Sequence, residues 1–313
     1  MRNTALLAGL TLALSGWTSA APQQPKPFTT ATNLVVVPVV VVDRKGQTIP
    51  NLTAADFQVT EDGKPVAIET FIPPVADASG PADGRFIVLV LDNLRTPAEI
   101  AFRVRDIAKR FVDRMGPLDV MTVISINKGQ AVSTTDKAAL KAAIDRFQPG
   151  IGESIRSFDQ DAQHILTTIG ELSAQMQKAP QRRKVMAIIG NAAAFNPQRV
   201  SPFDDRGPDL GVEWLAAIRE AARSNISVYT IDPHGMTGGG YSGDYSTSFS
   251  AETGGWAWAN TNNYAAAVEQ IWREAGSYYV LGYTAPINDQ KLHPIDVKVN
   301  VRGATVRARR ARS

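Results

Sequence analysis

Apolar residues run along this chain in two alternating patterns. Phe86–Leu91, Val120–Ile126, Val185–Ile189, Ile226–Ile231 and Tyr278–Tyr283 are nearly unbroken apolar runs. Runs of that length suit strands covered on both faces. Between them the spacing changes to three and four. Ile100, Val104, Ile107, Ala108, Phe111, Val112 and Met115 share one helical face, as do Leu140, Ile144 and Phe147. Ala162, Ile165, Leu166, Ile169, Leu172 and Met176 repeat the pattern, then Trp214, Leu215, Ile218 and Ala222, then Tyr264, Val268, Ile271, Trp272 and Ala275. Strand and helix in alternation predict an α/β fold: a doubly wound, mostly parallel, Rossmann-like sheet with helices on both faces. Thr96, Pro97 and Glu99 read as the cap, first position and capping-box glutamate of the first helix. Gln130–Ser133 is expected as a short antiparallel edge.

The flanks read differently. Leu34–Val42 is β-branched and interrupted by Pro38, which suits an edge strand or a bulge. Phe57–Thr60 and Val66–Ile68 flank Glu61-Asp62-Gly63-Lys64, and an Asp-Gly pair between such runs signals a hairpin. Ile295, Val297, Val299 and Val301 alternate with polar residues, Gly303 turns the chain, and Ala304–Ala308 can form a last strand. Forty residues cannot form a secure core alone. These flanks are therefore expected to join as a small antiparallel β domain built from both chain ends. The expected organisation is a signal peptide over 1–21, a linker over 22–33, β-domain parts over 34–73 and 285–313, and the α/β domain over 85–284. The signal reading rests on Arg2, the short apolar core Ala5–Leu14 and the small residues Thr18-Ser19-Ala20-Ala21. It predicts an exported protein, periplasmic or secreted. No later stretch reaches membrane-spanning length.

Composition narrows the chemistry. With 313 residues, 44% hydrophobic and 20% charged, the chain is globular in type. A net charge of +3 is small and spread out, which argues against a nucleic-acid partner. There is no cysteine, so thiolate catalysis, cysteine metal sites and disulfides are excluded. Arg307, Arg309, Arg310 and Arg312 form a basic tail expected in solvent.

Ligands of open α/β sheets bind beyond the carboxyl ends of the strands. Asp92, Asn93, Arg95 and Thr96 follow the first α/β strand there, and Asp232 and His234 follow a later one. The loop over 232–263 is long, a common mark of function, and carries Tyr241, Tyr245, Phe249, Trp256 and Trp258, side chains suited to protein recognition. Gly238–Gly243 matches neither nucleotide-binding glycine pattern. His164 and His293 lack a metal-ligand partner at recognisable spacing. Asp204, Asp205 and Asp209 read as a solvated acidic loop. Asp232 with His234 could serve a general base, although Asp-Pro-His is also ordinary turn chemistry.

The strand, loop and helix over Arg85–Met115 resemble the opening of von Willebrand factor A (VWA) domains. Asn51–Val66 (NLTAADFQVTEDGKPV), Ala251–Asn263 (AETGGWAWANTNN) and Ser277–Thr284 (SYYVLGYT) resemble segments of the VWFA-related family found chiefly in Acidobacteria and their relatives. The resemblance implies a VWA fold and a metal-ion-dependent adhesion site, which holds magnesium through Asp-x-Ser-x-Ser, a Thr and a further Asp. Asp92 matches the first position, Thr96 substitutes for the last Ser, Ser154 is the nearest candidate for the Thr, and Asn191 stands where an Asp would be usual. Leu94 replaces the middle Ser and offers no oxygen. Hard cations select charged oxygen ligands, so the site is expected to be degraded, with no ion required and at most weak binding of Mg2+ or another divalent cation. The expectation is a non-enzymatic, exported protein that binds another protein or envelope macromolecule through Asp92, Asn93, Arg95, Thr96, Asn191, Asp232, His234, Tyr241 and Trp256. The alternatives are a structural module of envelope assembly acting through the β domain, and a hydrolase using Asp232 and His234.

Overall fold

In the computed structural model, residues 34–74, 84–94, 96–127, 131–150, 158–181, 183–190, 210–237, 249–285, 289 and 291–312 are described. They all belong to one compact unit. The signal and linker over 1–33, and Arg95, Ser154, Asn191, Tyr241, Tyr245 and the 204–209 acidic loop, lie outside them.

The centre is a six-stranded sheet. Its strands are β5 (Arg85–Leu91), β6 (Val120–Ser125), β7 (Val132–Thr134), β8 (Arg183–Ile189), β9 (Ile226–Ile231) and β10 (Ala257–Trp258), in the order β10-β9-β8-β5-β6-β7. All neighbours are parallel except β7, which runs antiparallel to β6 through Met121↔Thr134 to Val123↔Val132. Alternate residues of each strand serve opposite faces. Ile87, Leu89, Leu91, Val185, Ala187, Ile189, Tyr229 and Ile231 join α1 (Ala101–Asp113), α2 (Lys137–Asp145) and α5 (Tyr264–Gly276) in one core. Val88, Val90, Met186, Ile188, Ile226 and Val228 join α3 (Phe158–Met176) and α4 (Leu210–Arg223) in the other. The unbroken apolar runs are thus explained, because both faces of every central strand are dry. On α1, Val104, Ile107, Phe111 and Val112 are fully buried, each worth roughly 1.5–3 kcal/mol of apolar burial.

The helix start differs from the capping pattern. Pro97 has extended backbone (φ −69°, ψ 156°), a 3-10 turn covers Ala98–Ile100, and α1 begins only at Ala101, with no side-chain cap. Thr96 is fully buried and its hydroxyl donates back to the Asp92 carbonyl, so it is not available to a cap.

Two antiparallel sheets are built from the flanks. One has the order β13-β1-β11-β4, from β1 (Leu34–Val42), β4 (Thr70–Ile72), β11 (Tyr279–Thr284) and β13 (Thr305–Ala308). The other has the order β14-β12-β2-β3, from β2 (Phe57–Glu61), β3 (Lys64–Val66), β12 (His293–Val299) and β14 (Ala311–Arg312). They share a third core containing Val37, Val39, Phe57, Tyr279, Leu281, Tyr283 and Ile295. The Asp-Gly hairpin forms, with Asp62 and Gly63 both left-handed (φ 51° and 73°).

Two expectations are corrected here. Tyr278–Tyr283, read as the last strand of the parallel series, forms instead β11 (Tyr279–Thr284), an interior strand of an antiparallel sheet, paired with β1 and β4. Its apolar run satisfies either environment, and only pairing across the chain decides. Leu34–Val42 is not an edge: β11 pairs with Leu34–Val39 on one side and β13 with Val39–Val42 on the other. Pro38 is tolerated because β13 joins only from Val39 onward.

Three of the four tail arginines are also not in solvent, while Arg310 is, with its side chain 61% exposed. Arg312 is 4% exposed and makes a two-pronged pair with Glu61, 2.6 and 2.7 Å. Arg307 pairs with the fully buried Glu274 of α5, and Arg309 donates to the Ala222 carbonyl at the end of α4, 2.6 Å. Burial lowers the Arg309 guanidinium to about 10.

Candidate binding edge

The ends of β5, β8 and β9 lie side by side at the carboxyl edge of the parallel sheet. Asp92 continues β5 by donating its amide to the Ile189 carbonyl (3.0 Å), and Gly190 does the same to Ile231 (3.0 Å). The backbones are close: a Cβ on Gly190 would lie 2.1 Å from the Asp92 Cβ. Asp92 is fully buried, and its Oδ1 accepts the Leu94 amide (2.9 Å). Asn93 bridges to the end of β6. Its Nδ2 donates to the Asn127 carbonyl (2.6 Å), and its Oδ1 accepts the Asn127 amide (2.8 Å). Gly150 packs on the same loop, since a Cβ there would stand 2.2 Å from the Asn93 carbonyl oxygen.

After β9 the chain makes a tight polar turn. Asp232 is 5% exposed and donates its amide to the Trp258 carbonyl (2.8 Å). Its Oδ1 accepts both the His234 amide (2.9 Å) and the His234 Nδ1 side (2.8 Å). Arg103 of α1 donates to the Pro233 and His234 carbonyls (3.3 and 3.2 Å), and the Tyr264 hydroxyl donates to Pro233 (3.0 Å). Burial pushes the Tyr264 phenol up, with the Arg103 guanidinium opposing and Asp232 adding to the shift. Gly235 (φ 70°) leaves no space for a Cβ, which would meet Asn262 Oδ1 at 2.0 Å. The turn is thus fastened to α1 and α5.

The structure brings Asp92, Asn93, Thr96, Asp232 and His234 to one sheet edge. Trp256 stands apart from them: its carbonyl accepts the Thr230 amide alongside β9 (3.1 Å), and its ring lies under Arg307, 4.6 Å away. Trp258 packs on Tyr229 and Phe249 on Trp214, both as core contacts. Of the four metal-ligand candidates, the described pair supplies one carboxylate, already held by an amide, and one hydroxyl. Leu94 adds no oxygen. Two oxygen donors are only part of the octahedral shell a hard cation takes, and Ser154 and Asn191 lie outside the described residues.

Sequence reasoning missed Phe102, Arg103, Tyr264 and Met236. Phe102 and Met236 were invisible because a surface apolar residue at a helix or turn start carries no pattern. Arg103 could have been found as the one basic residue on the first turn of α1. His293 also has partners that sequence spacing hides. Its Nδ1 lies 2.8 Å from Asp62 and its Nε2 2.6 Å from Asp289.

No protein-family profile matches the chain, and no curated protein matches it. Among solved structures, an aerotolerance-related membrane protein from Bacteroides fragilis NCTC 9343 is similar over 61% of this chain and 98% of its own, at 15% identity and a TM-score of 0.44. The three N-terminal domains of the type V pili tip protein Mfa5 from Porphyromonas gingivalis give 12% identity over 75% of this chain and 54% of that one, TM-score 0.40. The human COPII-coat protein Sec24c gives 8% identity, 75% and 45% coverage, and a TM-score of 0.38. These likenesses are loose, and the architecture above rests on strand order and packing. Among the described residues no helix is long and apolar enough to cross a membrane.

Proposed function

We propose that this is an exported VWA-type protein, of the VWFA-related kind, that binds another protein or envelope macromolecule through the carboxyl edge of its parallel sheet. The observation that carries the reading is a pair of large apolar side chains at that edge. Phe102 is 59% exposed on the first turn of α1, and Met236 is 72% exposed in the turn after β9. Arg103 ties the two elements together. Single exposed apolar residues are ordinary, but two at a ligand-competent edge that also holds the buried Asp92 and Asp232 favour an interface. Among the described residues of that edge, Asn93 and the Asp232–His234 turn are polar and held by hydrogen bonds. Export is supported by the signal-like residues 1–21.

The reading needs no ion at Asp92, because Leu94 takes an oxygen out of the ligand set. It is also not an enzymatic reading. The carboxylate of Asp232 binds the amide and the ring of the same turn, which is what a structural Asp-Pro-His turn requires. Association through the β unit instead of the edge is the competing reading.

A photo-crosslinking residue at position 102 or 236 should capture a partner from envelope extracts. The same probe at Val212, exposed on α4 (61%), gives the background. Equal yield from all three positions overturns the edge reading.

A further inference from the structure

We propose that the hairpin turn after β2, with the head of β12, binds a single first-row divalent cation of the zinc type. The ligands are His293 Nδ1, a carboxylate oxygen of Asp62 and a carboxylate oxygen of Glu61. One such atom from each residue lies within 4.8 Å of the others. Imidazole and carboxylate together suit zinc better than magnesium or calcium.

The backbone sets this cluster before any side chain acts. β2 and β12 pair with Ile295 opposite Glu61, so the next residues outward, Pro294 and His293, run past Asp62. The Asp62 amide donates to the Pro294 carbonyl (3.0 Å), and Asp62 sits in the left-handed conformation (φ 51°) that turns the chain there. The imidazole is then oriented from behind. Asp289 Oδ1 lies 2.6 Å from Nε2 and Asp62 Oδ2 lies 2.8 Å from Nδ1, so without an ion each ring nitrogen faces a carboxylate acceptor; an ion takes the place of the Nδ1 proton while Asp289 holds the one on Nε2. A carboxylate behind a histidine is the arrangement that fixes the tautomer and raises the basicity of zinc-binding imidazoles.

Glu61 is the most committed ligand. Its Oε2 accepts Arg312 Nε (2.7 Å) and the Tyr283 hydroxyl (2.6 Å), and its Oε1 accepts Arg312 Nη2 (2.6 Å). A carboxylate has about four acceptor directions, so one on Oε1 is left for an ion. Charge also favours a cation. Glu61, Asp62 and Asp289 bring three carboxylates against the Arg312 guanidinium and the Lys291 ammonium, whose charge reaches Asp289. Water completes the shell on the side where Asp62 and Asp289 are open to solvent, 40% and 37% exposed. Without an ion the same atoms make a hydrogen-bonded clasp, and the experiment has to separate the two.

The test is calorimetric titration of the chelator-stripped full chain with zinc chloride, repeated with cobalt chloride followed by visible absorption. Zinc should bind one to one, and cobalt should show the spectrum of an imidazole ligand. Asp289→Asn should weaken binding by about 10- to 100-fold through the lost support of the ring. His293→Gln and Asp62→Asn should each remove it, in chains whose circular dichroism is unchanged. Asp92→Ala, at the sheet edge, should leave it intact. A stripped wild-type chain that takes up no zinc overturns the proposal. So does binding that survives in both His293→Gln and Asp62→Asn, or that disappears only in Asp92→Ala.

Discussion

Arg312→Met tests the junction of the two chain ends most directly. The Glu61 side chain is fully buried, and that of Arg312 is 5% exposed. Methionine keeps most of the apolar stem and removes the charge, the Nε donor and the Nη2 donor. Glu61 then keeps the Tyr283 hydroxyl, and its buried carboxylate loses its paired guanidinium. Breaking one side of a buried pair costs about 3–5 kcal/mol, most of it the desolvation of the ion left behind. With a urea m-value of about 3 kcal/mol/M, the unfolding midpoint should fall by about 1 to 1.7 M. The control is Glu61→Leu with Arg312→Met, which removes both charges. That double variant should recover most of the loss, because replacing a buried pair by apolar groups is often neutral. Urea unfolding followed by circular dichroism gives the totals, and amide exchange of β2 and β12 locates the change. A loss below about 1 kcal/mol in the single variant, or a double variant no better than the single, would refute the account of a desolvated pair.

Other perturbations probe other joints. Gly190→Ala should cost more than about 2 kcal/mol, because its Cβ would overlap Asp92 at 2.1 Å between two backbone-paired strands, and thermal melting would show it. Asn93→Ala removes two hydrogen bonds to Asn127 and leaves a partly buried amide and carbonyl unmatched. A loss of about 1–3 kcal/mol is expected, with faster amide exchange at Asn127. The Asp56 carboxyl is held below its usual range by the Thr53 amide and then the Thr53 hydroxyl. Because the folded value is depressed, its contribution is present above the unfolded carboxylate range and is lost as pH falls through the folded value. Asp56→Asn should therefore narrow the gap between melting temperatures at neutral and strongly acidic pH.

The two-faced parallel sheet was legible because its cause is local. A strand dry on both sides is apolar at nearly every position, as Phe86–Leu91 and Val185–Ile189 are. The Asp62-Gly63 hairpin was legible for a similar reason, since two consecutive left-handed residues leave few sequence choices. The misread elements depended on partners far away in the chain. Tyr279–Thr284 has the same composition as a parallel core strand, and only Leu34–Val39 and Thr70–Ile72 make it antiparallel. The arginines over 307–312 look like a solvated tail until Glu274, Glu61 and the end of α4 are brought against them. At the candidate edge, the residue types at Asp92 and Asp232 announced a polar site. The aromatics misled in part, since Trp258 and Phe249 satisfy the core while Phe102 and Met236 stand outside it. The sequence could place polar residues by the geometry of strand ends, but it could not say which bulky side chains the core had room for.

The arrangement of those arginines also sets an order of events in the life of the chain. Glu61 and Glu274 are made early and late in synthesis, yet both wait for a guanidinium from residues 307–312. While the chain has been made only as far as α5, the β2 hairpin cannot bury Glu61 with a counter-charge, and β1 lacks both of its flanking strands. A nascent chain at that point can close its parallel sheet but not its antiparallel half. Locking of the antiparallel half therefore follows the emergence of Arg312, after the parallel sheet has the strands it needs.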